Sequence, residues 1–361
     1  MTSPVKIVRD DIRAMSAYHV PPSAGMVKLD AMENPYPLPA ALRQEIAEAA
    51  AKADINRYPD PLAPLLKKRL RQVMTIPEGL DVLLGNGSDE IIQIMIQACA
   101  RPGSTIMAPS PTFAMYRQYA LVAGLKYVGV PLRADFSLDR ESFCAAMKEH
   151  DPAVIFISYP NNPTGNLFND EDLRHIIARA PGLVVMDEAY QPFADRTFLG
   201  AVGEFPNLVL LRTVSKLGLA GLRLGYAVGR PEWMCEFDKV RSPYNVNVLT
   251  QLVAEKVLGH NDVLEAQASA IRAERAKLAE ALSAMPGTMP FSSQANFILA
   301  RVSDPIGMFE KLRQRGILVK CMDGMHPLLA GCLRFTIGTP EENTLLISAL
   351  KASLGPPKHG A

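Results

Sequence analysis

Residues 153–187 read AVIFISYPNNPTGNLFNDEDLRHIIARAPGLVVMD. An apolar run, 153–158, meets a turn of Pro, Asn and Gly. A helical pattern follows over 170–179, and a second apolar run, 182–187, ends on a carboxylate. Neither run alternates apolar with polar residues, as expected for strands buried on both faces. Strand, helix and strand at this spacing form a unit of a mostly parallel sheet covered by helices.

The pattern extends in both directions. Upstream, 81–84 (DVLL), 104–108 (STIMA) and 125–130 (LKYVGV) read as strands, as do 207–212 (NLVLLR) and 223–228 (RLGYAV) downstream. Helices are predicted over 88–100, with Ser88 and Asp89 as start residues, and over 113–123 and 139–149. Beyond residue 230 the pattern changes. Helices near 231–240, 247–258 and 262–284 precede a strand (295–300), a helix (305–315), strands near 317–320 and 332–337, and a final helix (340–353). This predicts an α/β fold, with a large domain built on a mostly parallel sheet between helices and a smaller α/β domain. The first 30 residues read as irregular, and the tail after Leu354 is rich in Pro and Gly.

At 361 residues the chain is long enough for two domains. A net charge of +1 offers no electrostatic footprint for nucleic acid or an anionic membrane surface. No apolar run reaches the roughly 18 residues of a membrane helix, and Met1 to Met15 lacks the apolar centre of a secretory signal. The five cysteines are scattered without a CxxC pair, so neither a zinc site nor a disulfide framework is expected, and a reducing cytoplasm is the simplest location.

The residues that carry chemistry fall at the ends of the predicted strands, and in open parallel sheets ligands bind outside the carboxyl ends. Lys216, in TVSKLGLAGLRLGY, stands among small and apolar residues. Desolvation there would favour the neutral amine that imine chemistry needs, against the commoner fate of a surface lysine. Asp187 closes an apolar strand and needs a partner, either a structural one or a cation such as a protonated pyridine nitrogen. Asn162, in the SYPNNPTG turn, and Tyr190 could both reach one phenolic oxygen. GNGSDE (85–90) sets small residues before a helix start, where free N–H groups favour an anion, although a plain glycine turn reads the same way. Ser215 and Arg223 are further phosphate candidates. Phe113 could stack on a flat ring or fill the core. Arg334, inside an apolar strand, must be paired or must face a cavity, where a substrate carboxylate would suit its fork.

Taken together these residues resemble the fold type I pyridoxal 5'-phosphate (PLP)-dependent aminotransferases, and within them the histidinol-phosphate aminotransferase family. AYHVP, LDAMENPYP, NRYPDP, GNGSDE, PTFAMY, YPNNPTG, MDEAY, RTVSK, GLRLGY and CLRFTIGT occur in the family's order over nearly the whole chain. The resemblance implies that Lys216 forms the Schiff base with PLP and shuttles the proton, that Asp187 binds the pyridine nitrogen, and that Asn162 and Tyr190 bind the phenolic oxygen. It places Phe113 on the ring, and the backbone of Ser88 and Asp89 with Ser215 and Arg223 on the phosphate. Tyr58 would reach a neighbour's phosphate in a homodimer. Arg334 would bind the carboxylate of glutamate or 2-oxoglutarate, and Tyr18 and Asn34 would help bind histidinol phosphate. Residues 1–30 would join the small domain and cover the site, with the large domain over 31–255 and the small one over 256–361. Aromatic amino-acid aminotransferases and threonine-phosphate decarboxylases share this scaffold and remain alternatives. Three departures stand out. Lys216 and Arg223 lie one residue closer than is usual, which predicts a tighter turn. Phe113 replaces a common tyrosine. Met32-Glu33-Asn34 replaces the usual NEN.

Overall fold

In the computed structural model, which describes residues 4–17 and 20–354, a seven-stranded sheet dominates. From one edge to the other its strands are Asp81–Asn86, Leu224–Gly229, Leu208–Thr213, Leu183–Asp187, Val154–Ser158, Thr105–Ser110 and Lys126–Pro131. Leu224–Gly229 alone runs against the others, pairing antiparallel with both neighbours. Every residue of the four strands between Val154 and Gly229 is buried, which explains their unbroken apolar sequence.

The helix Asp170–Arg179 shows how local sequence sets an element. Asn169 caps it by accepting from the N–H groups of Glu171 and Asp172, at 2.9 and 3.1 Å. Three acidic residues occupy its first turn and Arg179 its last, matching the helix dipole. Leu173, Ile176 and Ile177 are its buried face. Each fully buried aliphatic of this kind contributes about 1.5–3 kcal/mol through removal from water.

The later strands form a second sheet in the order Lys320–Cys321, Cys332–Thr336, Phe297–Val302, Thr288–Pro290, antiparallel throughout. Arg334 lies in its middle strand, paired in register with Leu299 and Lys320. Val27–Lys28 pairs in parallel with Ile317–Leu318, so the chain's beginning is tied to its later part.

Several sequence expectations are corrected here. The first 30 residues are not wholly irregular, since Pro4–Ile7 and Asp10–Arg13 are short helices. Gly85 and Asn86 belong to a strand rather than to the turn after it. Helices Ala40–Ala50 and Pro64–Val73 had no counterpart in the reading of the sequence.

Candidate active site

The shared strand direction brings the ends of the chemistry-bearing segments to one sheet edge. Ser158, Asp187 and Thr213 are the last residues of their strands. Arg223 comes immediately before a strand, yet reaches the same edge because that strand is the reversed one. The close approach needs glycine, since a Cβ on Gly225 would run into the Ser88 nitrogen and the Gly87 carbonyl carbon. Gly87 itself has φ +81°, and a Cβ there would lie 2.8 Å from Arg223 Nη2.

A cavity of about 120 Å³ results, lined by Ser88, Asp89, Phe113, Asn162, Asp187, Tyr190, Ser215, Lys216 and Arg223, with Met32, Ser158, Ala189 and Thr213. Nine of the residues singled out from the sequence are thus brought together. The other four residues behave differently. Arg334 lines an adjoining cavity of about 550 Å³, which shares Met32, Phe113 and Asn162 with the first. Tyr58 is 80% exposed, stacks on Tyr244 with ring centroids 4.4 Å apart, and lines neither cavity of its own chain. Tyr18 lies outside the described residues. Asn34 lines neither cavity, and its amide donates to the Leu217 carbonyl and to Gln267 Oε1, at 3.2 and 2.9 Å. It acts as a tether for the Lys216 loop, an outcome that a polar residue near a recognised motif does not reveal by itself. Two more open clefts, of about 510 and 660 Å³, contain none of the predicted residues.

Lys216 sits in a 3₁₀ turn, Ser215–Leu217, followed by Gly218 at φ +106° and a second 3₁₀ turn, Ala220–Leu222. Arg223 then adopts φ +51°, a left-handed conformation that a side chain rarely takes. This is the tighter turn implied by the short Lys216–Arg223 spacing, and it still delivers the guanidinium to Asp89, with Nη2 3.4 Å from Oδ2. The Lys216 amine donates to the Ala31 carbonyl at 3.3 Å and lies 5.7 Å from the centre of the Tyr190 ring. Burial, helped by the nearby Arg334 charge, lowers its pKa to about 8. Against an ordinary lysine this raises the neutral fraction at pH 7 by about 300-fold.

Asp187 is 3% exposed, and burial pushes its carboxyl up to about 6. It accepts from the Tyr116 hydroxyl at 2.6 Å and from the Ala189 N–H at 3.1 Å, but among the described residues no cation pairs with it. Asn162 Nδ2 donates to the Tyr190 hydroxyl at 3.1 Å, while its Oδ1 accepts from Arg334 Nη1 at 2.6 Å. Arg334 also donates to the Asp30 carbonyl at 2.9 Å and lies over the Phe297 ring. Asn162 therefore links the end of the large sheet to the small one. Ser215 donates its N–H to Thr213 Oγ1 at 3.1 Å, which fixes its hydroxyl at the cavity wall.

These features fit a flat, phosphorylated pyridine aldehyde. A desolvated amine suits the aldehyde, and a buried carboxylate lacking a cation suits a protonated ring nitrogen. The helix start at Ser88, with Arg223 above it, suits a phosphate. Among the described residues no cluster of His, Cys, Asp or Glu could hold a metal. Reading the sequence missed Tyr116, Thr213, Ser158 and Met32. Tyr116 and Thr213 lie inside quoted motifs, but nothing local indicated what they touch. Met32 has φ +53°, a conformation that Asn, usual at this position in the family that the chain resembles, adopts more readily than Met.

Comparison with known proteins agrees with this geometry. A histidinol-phosphate aminotransferase of Ralstonia nicotianae is 58% identical over 97% of this chain and 95% of its own length. One from Cupriavidus pinatubonensis is 55% identical over 97% of each. The solved histidinol-phosphate aminotransferase of Sinorhizobium meliloti, in complex with pyridoxal-5'-phosphate, shares the fold with TM-score 0.85, at 24% identity over 96% of this chain and 97% of that one. Residues 24–350 match the family described as aminotransferase class I and II. With that match spanning most of its length, the chain belongs to the class I and II aminotransferases.

Proposed function

We propose that the protein is a PLP-dependent aminotransferase that passes the amino group of glutamate to imidazole acetol phosphate, forming 2-oxoglutarate and L-histidinol phosphate. The observation that carries this reading is the single cavity that holds the Lys216 amine and the Asp187 carboxylate and adjoins a larger cationic space. That space is lined by Arg117, Lys320 and Arg334 without an Asp or Glu, as befits carboxylate and phosphate substrates. The names of the relatives support the substrate, and the cofactor of the Sinorhizobium protein supports PLP.

When bound, PLP supplies an aldehyde that condenses with amines and a protonated ring that draws electrons from the substrate Cα. Asp187 holds the proton at the ring nitrogen. Asn162 and Tyr190 orient the phenolic oxygen, and Phe113 covers the ring face. The Ser88 and Asp89 N–H groups, the Ser215 hydroxyl and Arg223 anchor the phosphate. Lys216 would hold the cofactor through its aldehyde, and its neutral amine would serve as the base that takes the proton from the substrate Cα. Arg334 takes the substrate carboxylate.

A homodimer belongs to the same reading, with Tyr58 directed to the neighbouring protomer's phosphate. Ile55, Tyr58, Leu62 and Leu65 are 61–80% exposed within one short segment, an apolar surface of the kind that a partner covers. Sedimentation is expected to give a dimer at micromolar concentration; a monomer would remove Tyr58 from the site.

The substrate is tested by a single turnover of PLP-loaded protein with L-histidinol phosphate. The visible cofactor band is expected to bleach, with imidazole acetol phosphate appearing by mass spectrometry. Faster bleaching by phenylalanine would overturn the substrate, and carbon dioxide released from threonine phosphate would overturn the reaction class.

A further inference from the structure

Tyr116 lies in the first turn of helix Ala114–Val122 and is fully buried. Its ring stacks on Phe156, with centroids 4.7 Å apart, and meets the edge of Phe113 at 5.4 Å. Packing alone would be served equally by phenylalanine, which brings no polar group to bury. The hydroxyl instead donates, at 2.6 Å, to the carboxylate of Asp187, a group with no cationic partner among the described residues. Hydrogen bonds from neutral donors to a carboxylate are short and strong, and they favour its ionised form. With Ala189 N–H on the other oxygen, both oxygens of Asp187 are held before any ligand arrives. Burial drives Asp187 toward neutrality, and the Tyr116 bond is the largest influence opposing it.

We propose that Tyr116 is a positioning residue for transamination: its hydroxyl fixes the Asp187 carboxylate in the orientation and ionic form that grips the ring nitrogen of the cofactor. The proposal rests on the PLP reading above. It gives the tyrosine no contact with substrate, and it predicts that every functional effect of the hydroxyl passes through Asp187.

Tyr116→Phe keeps the ring, its stacking and nearly all its volume. The PLP dissociation constant, from absorbance titration of the apoprotein, is expected to rise about tenfold, with kcat lowered about tenfold and the KM for glutamate nearly unchanged. The deciding measurement is a double-mutant cycle in PLP affinity. In an Asp187→Asn background, loss of the hydroxyl is expected to change affinity by less than about twofold, because no carboxylate remains to be held. Thermal melts of each apoprotein separate damage to the fold from damage to the site. Equal losses in both backgrounds, or a Tyr116→Phe protein matching wild type in affinity and kcat, overturn the proposal. Wild-type apoprotein that takes up no PLP overturns the cofactor reading, and the proposal falls with it.

Discussion

Lys216→Ala is expected to lower kcat by about 10⁴-fold while leaving the protein folded, because it removes both the carrier amine and the proton-transfer group. The side chain is partly buried, and its amine makes one long hydrogen bond, to the Ala31 carbonyl. Among the described residues it forms no salt bridge, so truncation leaves no buried charge unpaired there. The depressed pKa of about 8 has a stability consequence. Between about pH 8 and 10.5 the unfolded chain holds the proton more tightly, so stability rises with pH across that window, and below it the native protein bears the full cost of charging a desolvated amine. Alanine removes that cost, and the apoprotein is expected to melt no lower than wild type at pH 7. The measurement is twofold: steady-state turnover, and mass spectrometry after borohydride reduction of the PLP-loaded proteins. Wild type should carry the reduced cofactor on the peptide containing residue 216, and the variant none. Lys216→Arg, which keeps the positive charge but cannot condense, should be equally inactive. Appreciable turnover in either variant, or cofactor trapped on another lysine, would sink the assignment.

What was legible in the sequence follows from what each signal depends on. Unbroken apolar runs such as VIFIS and LVVMD encode burial on both faces, so the central strands were placed within a residue or two. The helix at 231–240 shows a clear apolar face and matches Pro231–Val240. Ala40–Ala50 buries only Leu42, and Pro64–Val73 only Leu66 and Leu70, too thin an apolar stripe to stand out from a charged surface. The reversed direction of Leu224–Gly229 depends on two consecutive 3₁₀ turns and leaves no mark on composition. The site followed the same division. Lys216, Asp187 and Arg334 are charged residues in apolar surroundings, an anomaly visible in one dimension. Asn34 and Tyr116 are not anomalous where they stand. Their roles depend on Gln267 and Asp187, partners 233 and 71 residues away that only the fold supplies.

Asp187→Asn is expected to pull activity and apoprotein stability in opposite directions. Without an anion at the ring nitrogen, kcat should fall by about 10²–10³-fold, the usual cost of losing a preorganised electrostatic group. The apoprotein should become more stable at neutral pH. In the native state burial pushes the Asp187 carboxyl up to about 6, from the roughly 3.9 of an ordinary aspartate. The native protein therefore holds the proton more tightly, and the stability gained from it is complete below about pH 4 and lost as pH rises through about 6. The difference corresponds to about 3 kcal/mol of destabilisation at pH 8, where the buried carboxylate is charged and without a cation. Asparagine avoids that charge and can still be satisfied. Its oxygen can accept from the Ala189 N–H, and its amide can donate to a Tyr116 hydroxyl that has turned to accept. Melting curves of the two apoproteins should converge near pH 4 and separate above pH 6, with the variant higher. Saturating PLP should narrow the gap, because the protonated ring gives wild-type Asp187 the cation that it lacks. A variant less stable than wild type at pH 8, or a gap unaffected by PLP, would mean that the carboxylate serves the fold and not the cofactor.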